Sequence, residues 1–190
     1  MASLQNNGWV LLENQSENDL NEILSTLGKV IFITDVVVKP ESKAMVTSTK
    51  GLDLHTDHHN ANYILWFCIE QTDKGGETLI LDADNIYSQL TPEQQAELHK
   101  INLFEHKIFP DDKEFHPLVF TDENGKREFY YSFWLVNRND RENEALLSFQ
   151  SLILSTEPIK RKLKINDILI IDNHKMLHGR TEIEGSTNRF

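Results

Sequence analysis

Six short apolar runs, rich in β-branched and aromatic residues and closed off by turn formers, constrain this chain more than anything else in it. They are Gly8 to Leu12, Val30 to Val38, Tyr63 to Ile69, Thr78 to Leu81, Phe129 to Val136 and Ile168 to Ile171, and each reads as a strand. Helical periodicity interrupts them only three times. Ser16 opens a helix in which Leu20, Ile23, Leu24 and Leu27 share a face before Gly28 stops it, with Asp19 placed to close a cap. Thr91-Pro92-Glu93 starts a second helix, running to about Ile101, with an N-cap, a first-turn proline and an early acid. Arg141 to Ser155 is the third, carrying Leu146, Leu147, Phe149, Leu152 and Ile153. Strands outnumber helices and do not alternate with them. That order disfavours a doubly wound parallel sheet and favours a mainly β sandwich or barrel with helices packed outside.

At 190 residues the chain is long enough to bury a core without disulfides, and its single Cys68 could supply none. A lone cysteine and an N-terminus without a basic start or apolar stretch predict a reducing, cytoplasmic compartment. No apolar run approaches the roughly 20 residues that a bilayer requires. The net charge of −11 repels phosphate backbones and anionic membranes, so a small molecule is expected as partner, and neither nucleic acid nor membrane. No repeat or Gly/Ser/Pro linker divides residues 1–190, which predicts one domain.

Four features carry chemistry. In His55-Thr56-Asp57 an imidazole and a carboxylate two residues apart on extended backbone project to one side and can chelate one ion. Eight histidines and thirty acids give about one such pair by chance, so alone it reads first as a surface histidine beside an acid. Ile168 to Ile171 leads into a polar stretch, Asp172-Asn173-His174-Lys175-Met176-Leu177-His178-Gly179-Arg180, where either His174 or His178 can serve as a distant ligand or stand as a loop histidine. Arg189 offers a guanidinium fork for a carboxylate, or an ordinary surface arginine. Gly75-Gly76-Glu77-Thr78 is a tight turn feeding a strand, without the spacing of a phosphate loop.

Together and in this order, His-x-Asp at 55–57, Gly-Gly-x-Thr at 75–78, His-Gly-Arg at 178–180 and Arg189 resemble the TauD-like family of iron(II)/2-oxoglutarate-dependent dioxygenases. The resemblance runs from about Trp9 to the last residue, with no counterpart motif between about Gln89 and Lys162. It implies a double-stranded β-helix, the cupin-type jelly roll, in which His55, Asp57 and His178 hold Fe(II) and Arg189 with Thr78 binds the distal carboxylate of 2-oxoglutarate. His174 then takes a loop role. Two imidazoles and one carboxylate on one face of an octahedron leave three positions for 2-oxoglutarate and O2. The family reaction releases succinate and CO2 and hydroxylates an unactivated C–H bond. Related halogenases have a small residue where this chain has Asp57, so halogenation is not expected.

The substrate is expected to be a small polar molecule, such as an amino acid or natural-product intermediate, met by His58, Asn62, Trp134 and Arg180 at the mouth. His59, Asn60, Tyr63 and Phe133 lie close in sequence to these. Family members commonly continue beyond the arginine, whereas Phe190 follows Arg189 directly, and the stretch before His55 is short for the family. For the chain end the expectation is either a clipped sequence or an absent contact, and for the short stretch before His55 a more open site or one completed by a second copy of the chain. The alternatives are a cupin-like metal-containing binding protein without oxidative turnover, against which Arg189 and Thr78 argue, and a metal-dependent hydrolase or isomerase, for which no general base is evident near the triad.

Overall fold

The computed structural model describes residues 2–39, 41, 42, 44, 46–104, 109 and 111–184. The chain is mainly β, with strands β1 (Trp9–Leu12), β2 (Leu52–His55), β3 (Tyr63–Phe67), β4 (Lys74–Gly75), β5 (Thr78–Asp82), β6 (Asn102–Leu103), β7 (His116–Pro117), β8 (Val119–Thr121), β9 (Arg127–Phe129), β10 (Ile159–Arg161), β11 (Ile168–Asp172), β12 (Met176–Arg180) and β13 (Ile183–Glu184). The helices are α1 (Ala2–Asn7), α2 (Glu17–Leu27), α3 (Ala83–Tyr87), α4 (Pro92–Leu98) and α5 (Glu144–Ser155).

Two antiparallel sheets dominate, one ordered β1-β11-β3 and the other β10-β5-β12-β2. Alternation along each strand decides what faces what. Leu169 and Ile171 of β11, with Ile64, Trp66, Trp9 and Leu11, meet Ile80 of β5 and Met176 of β12 between the sheets. The opposite face of β11, Ile168 and Ile170, packs with Leu4 of α1 and with Leu20, Ile23 and Leu27 of α2. Leu81 and Leu177 turn the other way and join Ala83, Ile86, Leu98, Leu146 and Phe149 from α3, α4 and α5. Both sheets are therefore covered on both faces. This explains why Ile168 to Ile171 reads as an unbroken apolar run rather than an alternating one.

Local chemistry sets the helix starts. The Ser16 hydroxyl accepts the Asp19 N–H while the Asp19 carboxylate accepts the Ser16 N–H, a complete capping box. The third helix begins later than expected, at Glu144 instead of Arg141. The Asn143 side chain accepts from the N–H groups of Ala145 and Leu146 there, and Arg138–Asp140 forms a separate 3-10 turn.

Two strand expectations fail. The run Val30 to Val38 forms no strand, and Val30, Ile31, Phe32 and Ile33 remain exposed. β-propensity becomes a strand only with a neighbouring backbone to pair with, and among the described residues this segment pairs with none. The run Phe129 to Val136 is a strand only up to Phe129. Beyond it the Tyr130 N–H goes to Leu118 O, the Tyr131 N–H goes to Thr56 Oγ1, and Phe133–Leu135 closes into a 3-10 turn. These bonds reach two different elements, so no single ladder can run through the segment. No helix among the described residues is long and apolar enough to cross a membrane.

Candidate metal centre

β2 and β12 pair with His55 opposite His178, and Ile80 of β5 lies opposite His178 on its other side. Directly opposed residues share a face, so both imidazoles enter the space between the sheets. Their rings stand 4.4 Å apart. The chain leaves β2 through Thr56, whose N–H donates to Tyr131 O at 2.7 Å, and this turn carries Asp57 back over the pair. Asp57 Oδ1 lies 3.8 Å from His55 Nε2, and Oδ2 lies 3.7 Å from His178 Nε2. One donor atom from each of the three residues falls within 4.8 Å of the other two. Of the two histidines left open by the sequence, His178 joins the cluster. His174 sits in the β11–β12 turn, its Nε2 2.7 Å from His59 O and its Nδ1 3.1 Å from Glu128.

The donors suit a borderline divalent ion. His55 Nδ1 lies 2.7 Å from Asp53 O, which can only accept, so the ring proton sits on Nδ1 and Nε2 presents its lone pair toward Asp57. Burial pushes the pKa of His55 down against the pull of Asp57, and pushes His178 well below the ordinary histidine value with help from His55. Both rings are therefore neutral. The Asp57 side chain keeps 43 % of its exposure, yet the protein packed around the carboxylate raises its pKa, opposed by His55. A dication placed among the three would hold that carboxylate ionised. Trp66 packs 5.1 Å from the His178 ring, and the half-exposed Trp134 lies 5.0 Å from His55, bordering the open side.

Thr78 is buried on β5 directly opposite Arg180 of β12, one strand period from the Ile80–His178 pair and on the same face. The two glycines before it are used in different ways. Gly75 has φ +67°, and a Cβ there would overlap Glu182 O, so the turn into β5 can lie against β13 only without a side chain. Gly76 donates to Glu182 O at 3.0 Å. Arg189 lies outside the described residues.

The four residues expected at the mouth take distinct places. Arg180 is buried, and its guanidinium donates to the carbonyls of Val46, Ser48 and Lys50 at 2.9, 2.7 and 2.8 Å. It thereby clamps the 46–50 strap across the end of β12. Asn62 lines a polar hollow of about 200 Å³ with Tyr63, Lys126, Glu128, Asp172 and His174. Trp134 is at the metal centre, as described. His58 lies beside His59 under Phe109, with ring distances of 4.3 and 4.2 Å.

Sequence reasoning missed three participants. Asn173 Oδ1 accepts the Asp57 N–H, and its Nδ2 donates to Ala61 O. Asp112 and His116 meet His58 and His59, and the His59 hydrogen bond holds the Asp112 carboxyl well below the usual range. The adjacent pair His58-His59 and the four-residue spacing from Asp112 to His116 were the available signals.

Residues 2–190 match the family described as taurine catabolism dioxygenase TauD, TfdA. Human gamma-butyrobetaine dioxygenase is 26% identical over 173 residues, covering 78% of this chain and 44% of that protein. The chain thus spans less than half the length of this curated relative. Among solved structures, a taurine dioxygenase from Burkholderia xenovorans superposes with TM-score 0.68 at 19% identity, over 99% of this chain and 76% of that one. An asparagine oxygenase in complex with Fe(II), 2S,3S-3-hydroxyasparagine and succinate gives 0.66 at 16% identity, over 81% and 53%. At these identities the two structures show a shared fold, whereas the family match spans nearly the whole sequence. The chain belongs to the taurine catabolism dioxygenase TauD, TfdA family.

Proposed function

We propose that this chain is an iron(II)- and 2-oxoglutarate-dependent dioxygenase that hydroxylates an unactivated C–H bond of a small polar molecule. The observation that carries the reading is the convergence of His55, Asp57 and His178 to within 4.8 Å from strands and a loop far apart in sequence. In this reading one TauD-like domain spans residues 1–190, its two sheets form a double-stranded β-helix, and the single cysteine fits a reducing, cytoplasmic setting. A cupin-like binding role without turnover is not favoured, because the curated relative and the structural neighbours are named as oxygenases.

His55, Asp57 and His178 would hold Fe(II), and bound iron would supply the activation of O2 that couples decarboxylation of 2-oxoglutarate to hydroxylation. The Asp53 carbonyl fixes the His55 ring so that Nε2 faces the ion. Burial keeps both imidazoles unprotonated, and Asp57 fills with a carboxylate the position that a halide would need. The Thr78 hydroxyl, on the same face as His178, would donate to the distal carboxylate of 2-oxoglutarate, and the Arg189 guanidinium would pair with that carboxylate. Trp66 and Trp134 flank the two imidazoles and limit water around them. Of the residues expected to meet substrate, Trp134 borders the triad beside His55 and would line the substrate side, while Arg180 would act there through the strap it clamps. An amino acid is the favoured class, on the hydroxyasparagine bound by one structural neighbour.

The test is turnover of the full chain with Fe(II) and 2-oxoglutarate, reading succinate and O2 together. Even without substrate, slow uncoupled release of succinate with matching O2 loss is expected. Metal retention with no succinate would overturn the reading.

A further inference from the structure

A second set of metal-type donors lies outside the triad. The loop after β2 carries His58 and His59, and the stretch leading into β7 carries Asp112 and His116. Asp112 Oδ2 is met by His59 Nε2 at 2.7 Å, His116 Nε2 at 3.1 Å and His58 Nε2 at 3.5 Å. Donor atoms of His58, His59 and Asp112 all lie within 4.8 Å of one another. Ligands around a tetrahedral zinc at 2.0–2.1 Å stand roughly 3.3 Å apart, and the His59 and His116 nitrogens lie 2.7 and 3.1 Å from Asp112 Oδ2, a little inside that spacing.

The surroundings hold these groups in place. Asp112 Oδ1 accepts the Glu114 N–H at 3.1 Å. His59 is pinned by the His174 bond to its carbonyl and by stacking on His116, with ring centroids 3.4 Å apart and planes at 31°. The side chains of His59 and Asp112 are each only 15 % exposed and that of His116 25 %. His58 differs from the other two histidines. Its Nδ1 accepts the Asn60 N–H at 3.2 Å, which places its own proton on Nε2, 3.5 Å from Asp112 Oδ2, so that Nε2 offers no lone pair to a metal. That leaves His59, His116 and Asp112 as two imidazoles and one carboxylate, a donor set suited to Zn(II), Co(II) or Ni(II).

We propose that His59, His116 and Asp112 form a second divalent transition-metal site, with His58 beside the carboxylate, separate from the His55–Asp57–His178 centre. Such an ion would tie the segment at 112–116 to the loop that carries Asp57. Its binding to the folded state alone would stabilise the chain.

The test is Co(II) titration of the chelator-stripped full chain, read by equilibrium dialysis, visible d–d absorption and thermal unfolding. Wild type is expected to take up two equivalents. His116→Gln and Asp112→Asn should each fall to one, with circular dichroism showing that they remain folded, while His178→Ala should also fall to one and keep the equivalent that His116→Gln loses. The combined His116→Gln/His178→Ala chain should take up none. One equivalent in wild type that His178→Ala abolishes and His116→Gln leaves intact would overturn the second site. The reverse pattern would keep this site and overturn the triad. Two equivalents undiminished in both His116→Gln and Asp112→Asn would mean that Asp112 holds only hydrogen bonds.

Discussion

Asn173 holds Asp57 in place across 116 residues of sequence. Its Oδ1 accepts the Asp57 N–H at 2.8 Å, while its Nδ2 donates to the carbonyls of Ala61, His58 and Asp57 at 2.9, 3.3 and 3.4 Å. The side chain is fully buried in the β11–β12 turn, so the strand pair that delivers His178 also fixes the loop that delivers Asp57. Asn173→Ala should weaken Fe(II) binding roughly 10- to 100-fold, the usual cost of losing a group that orients a metal ligand. Equilibrium dialysis measures this, and unchanged affinity would contradict the positioning role.

Gly179 decides whether His55 can reach its partner. A Cβ there would lie 2.5 Å from Leu52 O and 3.2 Å from the Asp53 carbonyl carbon, at the point where the β2–β12 register shifts between His178 and Arg180. Gly179→Ala should push β2 away from β12 and cost both metal affinity and stability. Thermal unfolding with and without Fe(II) separates the two losses. A variant with wild-type melting and metal uptake would show that the strands have room to spare.

Arg189→Ala should raise the apparent requirement for 2-oxoglutarate far more than it lowers iron content, because a guanidinium that pairs with the distal carboxylate does not touch the metal. The check is the 2-oxoglutarate dependence of succinate release beside iron content. Equal loss of both would move Arg189 out of the co-substrate site.

The capping box of α2 gives a pH signature. Hydrogen bonds from the Ser16 hydroxyl and then the Ser16 N–H lower the pKa of Asp19. A carboxylate whose folded pKa is depressed adds stability that is present above its unfolded value of 3.8 and is lost as pH falls through the lower folded value. Asp19→Asn should therefore melt below wild type at neutral pH, with the gap closing toward strong acid. A gap that stays constant with pH would assign the difference to something other than the carboxylate charge.

The legible parts of the chain were those fixed locally. Ile168 to Ile171 has one way to bury four apolar residues in succession, and Ser16 with Asp19 forms a cap from neighbours in sequence. His55-Thr56-Asp57 and His178 could be picked out because their order and company resemble a known family, and the structure brings them together. What was hidden depends on distant partners. Met176 to Arg180 looked like part of a polar turn, yet it is a central strand whose histidine and arginine are buried between the sheets. Val30 to Val38 has every local mark of a strand, yet it pairs with no strand among the described residues. Asn173 meets Asp57 across 116 residues and Asp112 meets His59 across 53, and the four-residue spacing of Asp112 and His116 does not by itself show that His59 joins them.

The most direct measurement is the visible absorption of the anaerobic full chain with Fe(II) and 2-oxoglutarate. A 2-oxo acid chelated to Fe(II) gives a charge-transfer band that neither component gives alone. The band should appear only when both are present and vanish in His178→Ala and Asp57→Ala. No band in wild type, or one of undiminished strength in both variants, would contradict the claim that these side chains hold iron for 2-oxoglutarate.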